Sequence, residues 1–205
     1  MLDALWRSPF SLAGAPVTWA ELIAVALSLW MVERNMRVRE LAWPLAIASS
    51  LLYWFLFRRT GLYGEAALQL MFIAVSAWGW WQWRYGTRDN GQPLVVRELP
   101  VRGRWIVLAM TLVAWPIVGM IIARTTDSTV PYADALPTVA SVAGQWLLAR
   151  KYVQNWPTWL AVNVYSVGLF AWKDLWPTAV LYAVFAVLSI VGWRAWRRIA
   201  RGGLR

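Results

Sequence analysis

The chain has 205 residues, 60% of them hydrophobic, with 18 Trp, no Cys, no His and a formal net charge of +10. A soluble domain of this size cannot bury so much apolar surface, so the composition points to a protein solvated by lipid. The missing Cys excludes disulfides and thiolate metal sites. The missing His removes the commonest general base and metal ligand, and no cofactor is expected.

Residues 1–16 are expected as an outer N-terminal segment, and Met1–Gly14 lacks the long apolar core of a cleaved signal peptide. Seven apolar segments follow, at Val17–Val32, Leu41–Phe57, Tyr63–Trp83, Trp105–Ala123, Tyr132–Ala149, Trp156–Trp172 and Trp176–Trp196. Each approaches the length of a membrane span, and lipid leaves the backbone no partner outside a helix. The expected fold is therefore an all-α integral membrane protein with seven transmembrane helices. Trp and Tyr gather at the segment ends (Trp19, Trp43, Trp83, Trp105, Tyr132, Trp156, Trp176, Trp196), as interfacial anchors do. With the N-terminus outside, the inner loops and tail hold 15 Lys and Arg and the outer side 5 (Arg7, Arg58, Arg59, Arg124, Lys173). That excess predicts N-outside, C-inside, and it assigns the positive charge to topology rather than to nucleic acid. The long polar connection runs from Tyr85 to Gly103, with a turn at Asp89-Asn90-Gly91-Gln92-Pro93.

The chain repeats itself at an offset of 113. Trp43-Pro44 falls under Trp156-Pro157, Gly79-Trp80 under Gly192-Trp193, and Trp83-Arg84 under Trp196-Arg197. Without a gap, 14 of 42 positions from 43–84 and 156–197 are identical. The same offset lays Glu21 on Asp134 and Ser28 on Ser141, so helix one matches helix five and helix four stands alone. The expected domains are a first three-helix bundle at 17–84, an inner loop and linker helix at 85–124, a second bundle at 125–198 and a cytoplasmic tail at 199–205. Three helices separate each matching pair, so matching helices run the same way. This predicts a 3+1+3 parallel repeat with a substrate site near the midplane, between the bundles.

Polar groups within the spans are sparse, and no two carboxylates lie three or four residues apart. That disfavours an enzyme and favours a pathway for a small molecule. Most small molecules lack twofold symmetry, so positions where the copies differ are informative. Asn163 lies on Ser50, Trp159 on Ala46, Tyr182 on Gln69, and Gln145 on Val32. Trp159 and Asn163 share a helix face, and Trp156 continues the stripe. Rings beside an amide can stack on a flat heterocycle and bond its substituent. Against these readings stand interfacial anchoring for Trp156, helix packing for Trp159 and an interhelical hydrogen bond for Asn163. Gln69 and Phe72 on helix three, with Tyr182 and Phe185 at the matching places on helix seven, complete the candidate contacts. Phe72 and Phe185 are identical, which suits a shared packing role. Glu21 and Asp134 serve either as a cation-attracting entrance or as acids opposite a helix dipole. A sugar would need more hydroxyl partners than these rings and single amides offer.

The pattern Trp156-x-x-Trp159-x-x-x-Asn163, then Leu169-Phe170-x-x-Lys173, Thr178 and Gly192-x-x-x-Trp196, resembles the closing half of the PnuC-type vitamin transporters. Leu68-Gln69 with Gly79-Trp80-x-x-Trp83 resembles the end of their first half. The resemblance covers about residues 17–198. It implies a SWEET-like fold, a homotrimer in the bacterial inner membrane, and facilitated diffusion of nicotinamide riboside, trapped by cytoplasmic phosphorylation. It also implies that Trp156, Trp159 and Asn163 help form the vitamin site, with Gln69 opposite. A similar core serves thiamine transporters, so thiamine is the alternative substrate.

Overall fold

The computed structural model describes residues 9–12, 15–59, 63–88, 90–173 and 176–202. Much of the expected outer segment lies outside the described residues, as do Arg7, Asp89 of the expected turn, and the last three residues of the tail. The chain opens with a short antiparallel hairpin, β1 (Phe10–Leu12) against β2 (Ala15–Val17), with Phe10 opposite Val17. No strand was expected there. Seven helices follow among the described residues: α1 Trp19–Met36, α2 Ala42–Arg59, α3 Tyr63–Tyr85, α4 Val101–Thr125, α5 Pro131–Ala149, α6 Asn155–Trp172 and α7 Trp176–Gly202. A helix coincides with each of the seven expected segments, α1 starting two residues after Val17. Helix four gains a turn at its start and helix seven six residues at its end. By length and hydropathy, α4 and α7 are each long and apolar enough to cross a membrane.

Local chemistry explains the ends. Thr18 caps α1 in a reciprocal box, its Oγ1 accepting from the Glu21 backbone N–H at 3.2 Å while Glu21 Oε2 accepts from the Thr18 N–H at 2.6 Å. Pro44 and Pro157 lie in the first turns of α2 and α6, where their missing N–H breaks no intrahelical bond. Pro131 opens α5 in the same way.

The chain divides into two compact units, residues 1–85 and 86–205. In the first, α2 packs against both α1 and α3; in the second, α5 packs against α4 and α6, and α6 against α7. Local structure repeats at the sequence offset. Shifted by 113, α6 covers α2 residue for residue, and α5 ends where α1 ends. The elbows between these helices correspond bond by bond. Val38 N–H donates to the Asn35 carbonyl at 3.0 Å and Arg39 N–H to that of Arg34 at 2.9 Å. Lys151 N–H donates to Leu148 at 3.0 Å and Tyr152 N–H to Leu147 at 2.9 Å. Both elbows turn through a left-handed residue, Val38 at φ 55° and Lys151 at φ 56°.

The polar connection before α4 is more than a loop. Gly91 turns it at φ 76°, and Thr87 pairs with Pro93 across that turn. It then buries Leu94, Val96 and Leu99. Arg97 pairs in parallel with Tyr152 at the α5–α6 elbow: its N–H reaches the Lys151 carbonyl at 3.1 Å and its carbonyl accepts from Val153 at 2.9 Å. The Arg97 guanidinium also donates to the Tyr152 hydroxyl at 2.8 Å, and Gln154 Oε1 accepts from the Leu99 N–H at 2.7 Å. A parallel pairing between residues 55 apart has no local sequence signal.

A β-branched residue in the left-handed region is strained. Val38→Gly is therefore expected to stabilise the chain by about 1 kcal/mol, read as a rise in thermal unfolding temperature in detergent. Lys151→Gly should gain less, because the Lys151 ammonium also donates to the Leu94 carbonyl at 3.1 Å.

Candidate functional site

The candidate residues of the second unit gather along α6, which packs against α5 and α7. Trp156 sits in its first turn, 3% exposed. Its six-membered ring lies over Gly192 of α7, where an added Cβ would overlap it, and it meets the Trp196 ring edge-on at 5.8 Å and 80°. The first unit repeats this arrangement: Trp43 lies over Gly79 and meets Trp83 at 5.4 Å and 87°. Trp43, Trp83, Trp156 and Trp196 were expected as interfacial anchors, and their burial corrects that expectation. A glycine one turn before the second Trp opens a notch that takes the first ring into the helix pair. Trp19, Trp105, Tyr132 and Trp176 do remain exposed at helix ends.

Trp159 does not continue the Trp156 stripe. It faces α5, with its ring against Gly144, where an added Cβ would stand 3.1 Å from Cε2 and 3.2 Å from Nε1. Gln145, the next residue of α5, has its side-chain carbonyl Oε1 buried and without a hydrogen-bond partner among the described residues. An unpaired buried acceptor costs about 1–3 kcal/mol. Asn163 turns back towards α7, is 5% exposed, and donates from Nδ2 to Ser189 Oγ at 3.1 Å. Ser189 in turn donates to the Phe185 carbonyl at 2.8 Å. The interhelical bond weighed for Asn163 is thus present. Tyr182 stacks on Phe170 at 5.1 Å and 28° and meets Phe185 at 6.2 Å, edge to face.

In the first unit Gln69 and Phe72 stand three residues apart on α3, both half-buried. Its polar crosslink joins a different helix pair. Ser28 and Ser49 bond at 2.9 Å between α1 and α2, and Ser49 donates to the Ala24 carbonyl at 3.0 Å. The acids at the helix starts are both engaged. Glu21 closes its capping box, and Asp134 pairs with Lys173 at 2.7 Å and accepts from Ser128 Oγ at 2.7 Å. These contacts fit the helix-start role. Among the described residues no three His, Cys, Asp or Glu side chains form a metal-holding group. A hollow of about 260 Å³ lies along the end of α3, lined by Ala77, Trp80, Trp81, Arg84 and Tyr85, and none of these is a candidate contact. The positions that sequence reasoning passed over are Gly144, Gly192 and Gly79. The last two were visible as identities of the repeat, but their role as ring seats was not.

A profile of the family described as nicotinamide mononucleotide transporter matches residues 18–198. The chain is 23% identical to the nicotinamide riboside transporter PnuC of Escherichia coli, over 97% of this chain and 93% of that one. It is 26% identical to the riboflavin/roseoflavin transporter RibM of Streptomyces davaonensis, over 91% and 88%. A crystal structure of the vitamin B3 transporter PnuC superposes with a TM-score of 0.73 at 22% identity, covering 89% of this chain and 82% of that one.

The glycines make a graded prediction. Gly192→Ala is expected to lower stability by about 2–3 kcal/mol, because Trp196 blocks the retreat of Trp156. Gly144→Ala asks Trp159 to yield only a few tenths of an ångström and should cost under about 1.5 kcal/mol. Thermal unfolding of both variants in one detergent checks the order; equal losses would contradict it.

Proposed function

We propose that this chain, which belongs to the nicotinamide mononucleotide transporter family, carries nicotinamide riboside across the membrane by facilitated diffusion. As a family member it is a multi-pass membrane protein and a transporter rather than an enzyme. The observation that carries the reading is the Trp159 indole seated against Gly144 of α5, together with the buried, unpartnered Oε1 of Gln145, the next residue of that helix. A flat heteroaromatic ring can stack on the indole, and a carboxamide N–H can donate to that oxygen. Asn163 and Tyr182 are the further contacts proposed in the second unit, with Trp156 supporting them from the α7 side. Gln69 and Phe72 are those proposed in the first. The cation-attracting role falls to Glu21 rather than Asp134, because Lys173 neutralises Asp134.

The remaining features of the reading are a SWEET-like 3+1+3 parallel repeat, an N-outside, C-inside orientation, a homotrimer in the bacterial inner membrane, and phosphorylation as the trap. Helix correspondence at the 113-residue offset, residue for residue between α2 and α6, supports the repeat. A second reading, riboflavin, is favoured by the similarity to RibM. Thiamine is a third flat substrate for the same rings.

Proteoliposomes loaded with a nicotinamide riboside kinase and ATP test the proposal. They should accumulate labelled nicotinamide mononucleotide, while vesicles without kinase should only equilibrate nicotinamide riboside. Trp159→Ala with Asn163→Ala should cut initial uptake at least tenfold while the protein still folds. Normal uptake by that variant would remove the site, and uptake of riboflavin or thiamine alone would reassign the substrate. Uphill accumulation of the free vitamin, abolished by an uncoupler, would replace facilitated diffusion with proton coupling.

A further inference from the structure

The last two turns of α7 carry Arg194, Arg197, Arg198 and Arg201, and all four are exposed. Positions i, i+3, i+4 and i+7 lie on one helix face, so the four guanidinium groups form a stripe. No Asp or Glu occurs in α7. Among the described residues none of the four arginines pairs with a carboxylate, and Arg197 lies over the Trp193 ring at 5.7 Å. Several other cations are held within the fold. Arg34 and Arg37 pair with Glu33, Arg104 pairs with Glu98, and Arg97 donates to Tyr152.

The repeat shows that the bundle does not require this stripe. At the offset of 113, Arg194 and Arg198 fall on Trp81 and Tyr85, while Arg197 and Arg201 fall on Arg84 and Arg88. The fourth counterpart, Arg88, lies beyond the end of α3 and donates from Nε to the Pro93 carbonyl. Helix length places the stripe. The 27 residues of α7 extend about 40 Å, against a hydrocarbon core of about 30 Å. The surplus of about 10 Å equals the rise from Arg194 to Arg201, which therefore spans the headgroup layer of the leaflet where α7 ends. Trp193 and the exposed Ile199 flank it with apolar surface.

We propose that this stripe is a docking site for anionic phospholipid headgroups. The phosphodiester oxygens accept hydrogen bonds from the guanidinium forks, while Trp193 and Ile199 meet the glycerol and upper acyl region. The alternative is that the arginines only offset the helix dipole and set orientation, which needs charge but no lipid preference. The proposal does not depend on which solute is carried.

The test uses the full chain in phosphatidylcholine nanodiscs, with spin-labelled phosphatidylglycerol or spin-labelled phosphatidylcholine as the probe. The motionally restricted fraction reports lipid held by the protein. The expected result is a phosphatidylglycerol preference that falls with added salt. Arg194→Gln, Arg198→Gln and Arg201→Gln together should reduce it at least about tenfold. The triple lysine variant at these positions keeps the charge and should retain most of the preference. A control that removes as much charge elsewhere, Arg58→Gln with Arg102→Gln and Arg124→Gln, should leave it in place. Unchanged preference in the glutamine stripe variant overturns the proposal, and so does an equal loss in the control. Displacement of the labelled lipid by inorganic phosphate at matched ionic strength would also overturn it, assigning the stripe to free anions.

Discussion

An indole ring over a glycine holds α2 to α3, and the same contact holds α6 to α7. Within a bilayer, helices gain little by hiding apolar side chains from one another, since lipid tails are equally apolar. Close packing against small residues therefore becomes the main source of association. Trp43 over Gly79 and Trp156 over Gly192 use the largest side chain against the smallest. Trp83 and Trp196 then close the notch from the side. Trp43 Nε1 and Trp156 Nε1 are buried without a hydrogen-bond partner among the described residues, so these two rings are placed by shape rather than by a polar tether.

On this shared frame the two copies put their polar chemistry in different places. The first unit ties α1 to α2 through Ser28 and Ser49, and the second ties α6 to α7 through Asn163 and Ser189. The second unit also has the Trp159 ring beside Gly144 and the unpaired Gln145 oxygen. Pairing of the arginine-bearing strap at residues 86–100 with the α5–α6 elbow is a further addition, with no counterpart at the first elbow among the described residues. The packing contacts thus recur at the offset of 113, while the polar contacts differ between the two units.

Much of the fold was legible in advance. Apolar runs located all seven helices, because a backbone in lipid has one local way to satisfy its hydrogen bonds. The offset of 113 lays helix one on helix five, and the elbows that follow these two helices share the same hydrogen bonds. The N-terminal hairpin was missed because a three-residue strand carries too little pattern to read. The strap was missed because Arg97 and Tyr152 meet through a tertiary pairing. For the candidate site, residue identity was readable but direction was not. Trp156 and Trp159 are three apart on one helix, yet one faces α7 and the other α5, since α6 has a neighbour on each side.

By itself the sequence determined the membrane class, the helix spans, the internal repeat and the kinship with vitamin transporters. Each of these follows from local composition or from residues matched along the chain. Tertiary structure alone decided which neighbour each ring packs against. Trp156 could be taken for an anchor or a ligand contact until Gly192 was found beneath it, and Asp134 could be taken for an open charge until Lys173 was found beside it. The physical reason is that exposure and charge pairing belong to neighbouring helices, and one helix's sequence does not say which neighbour lies against which face.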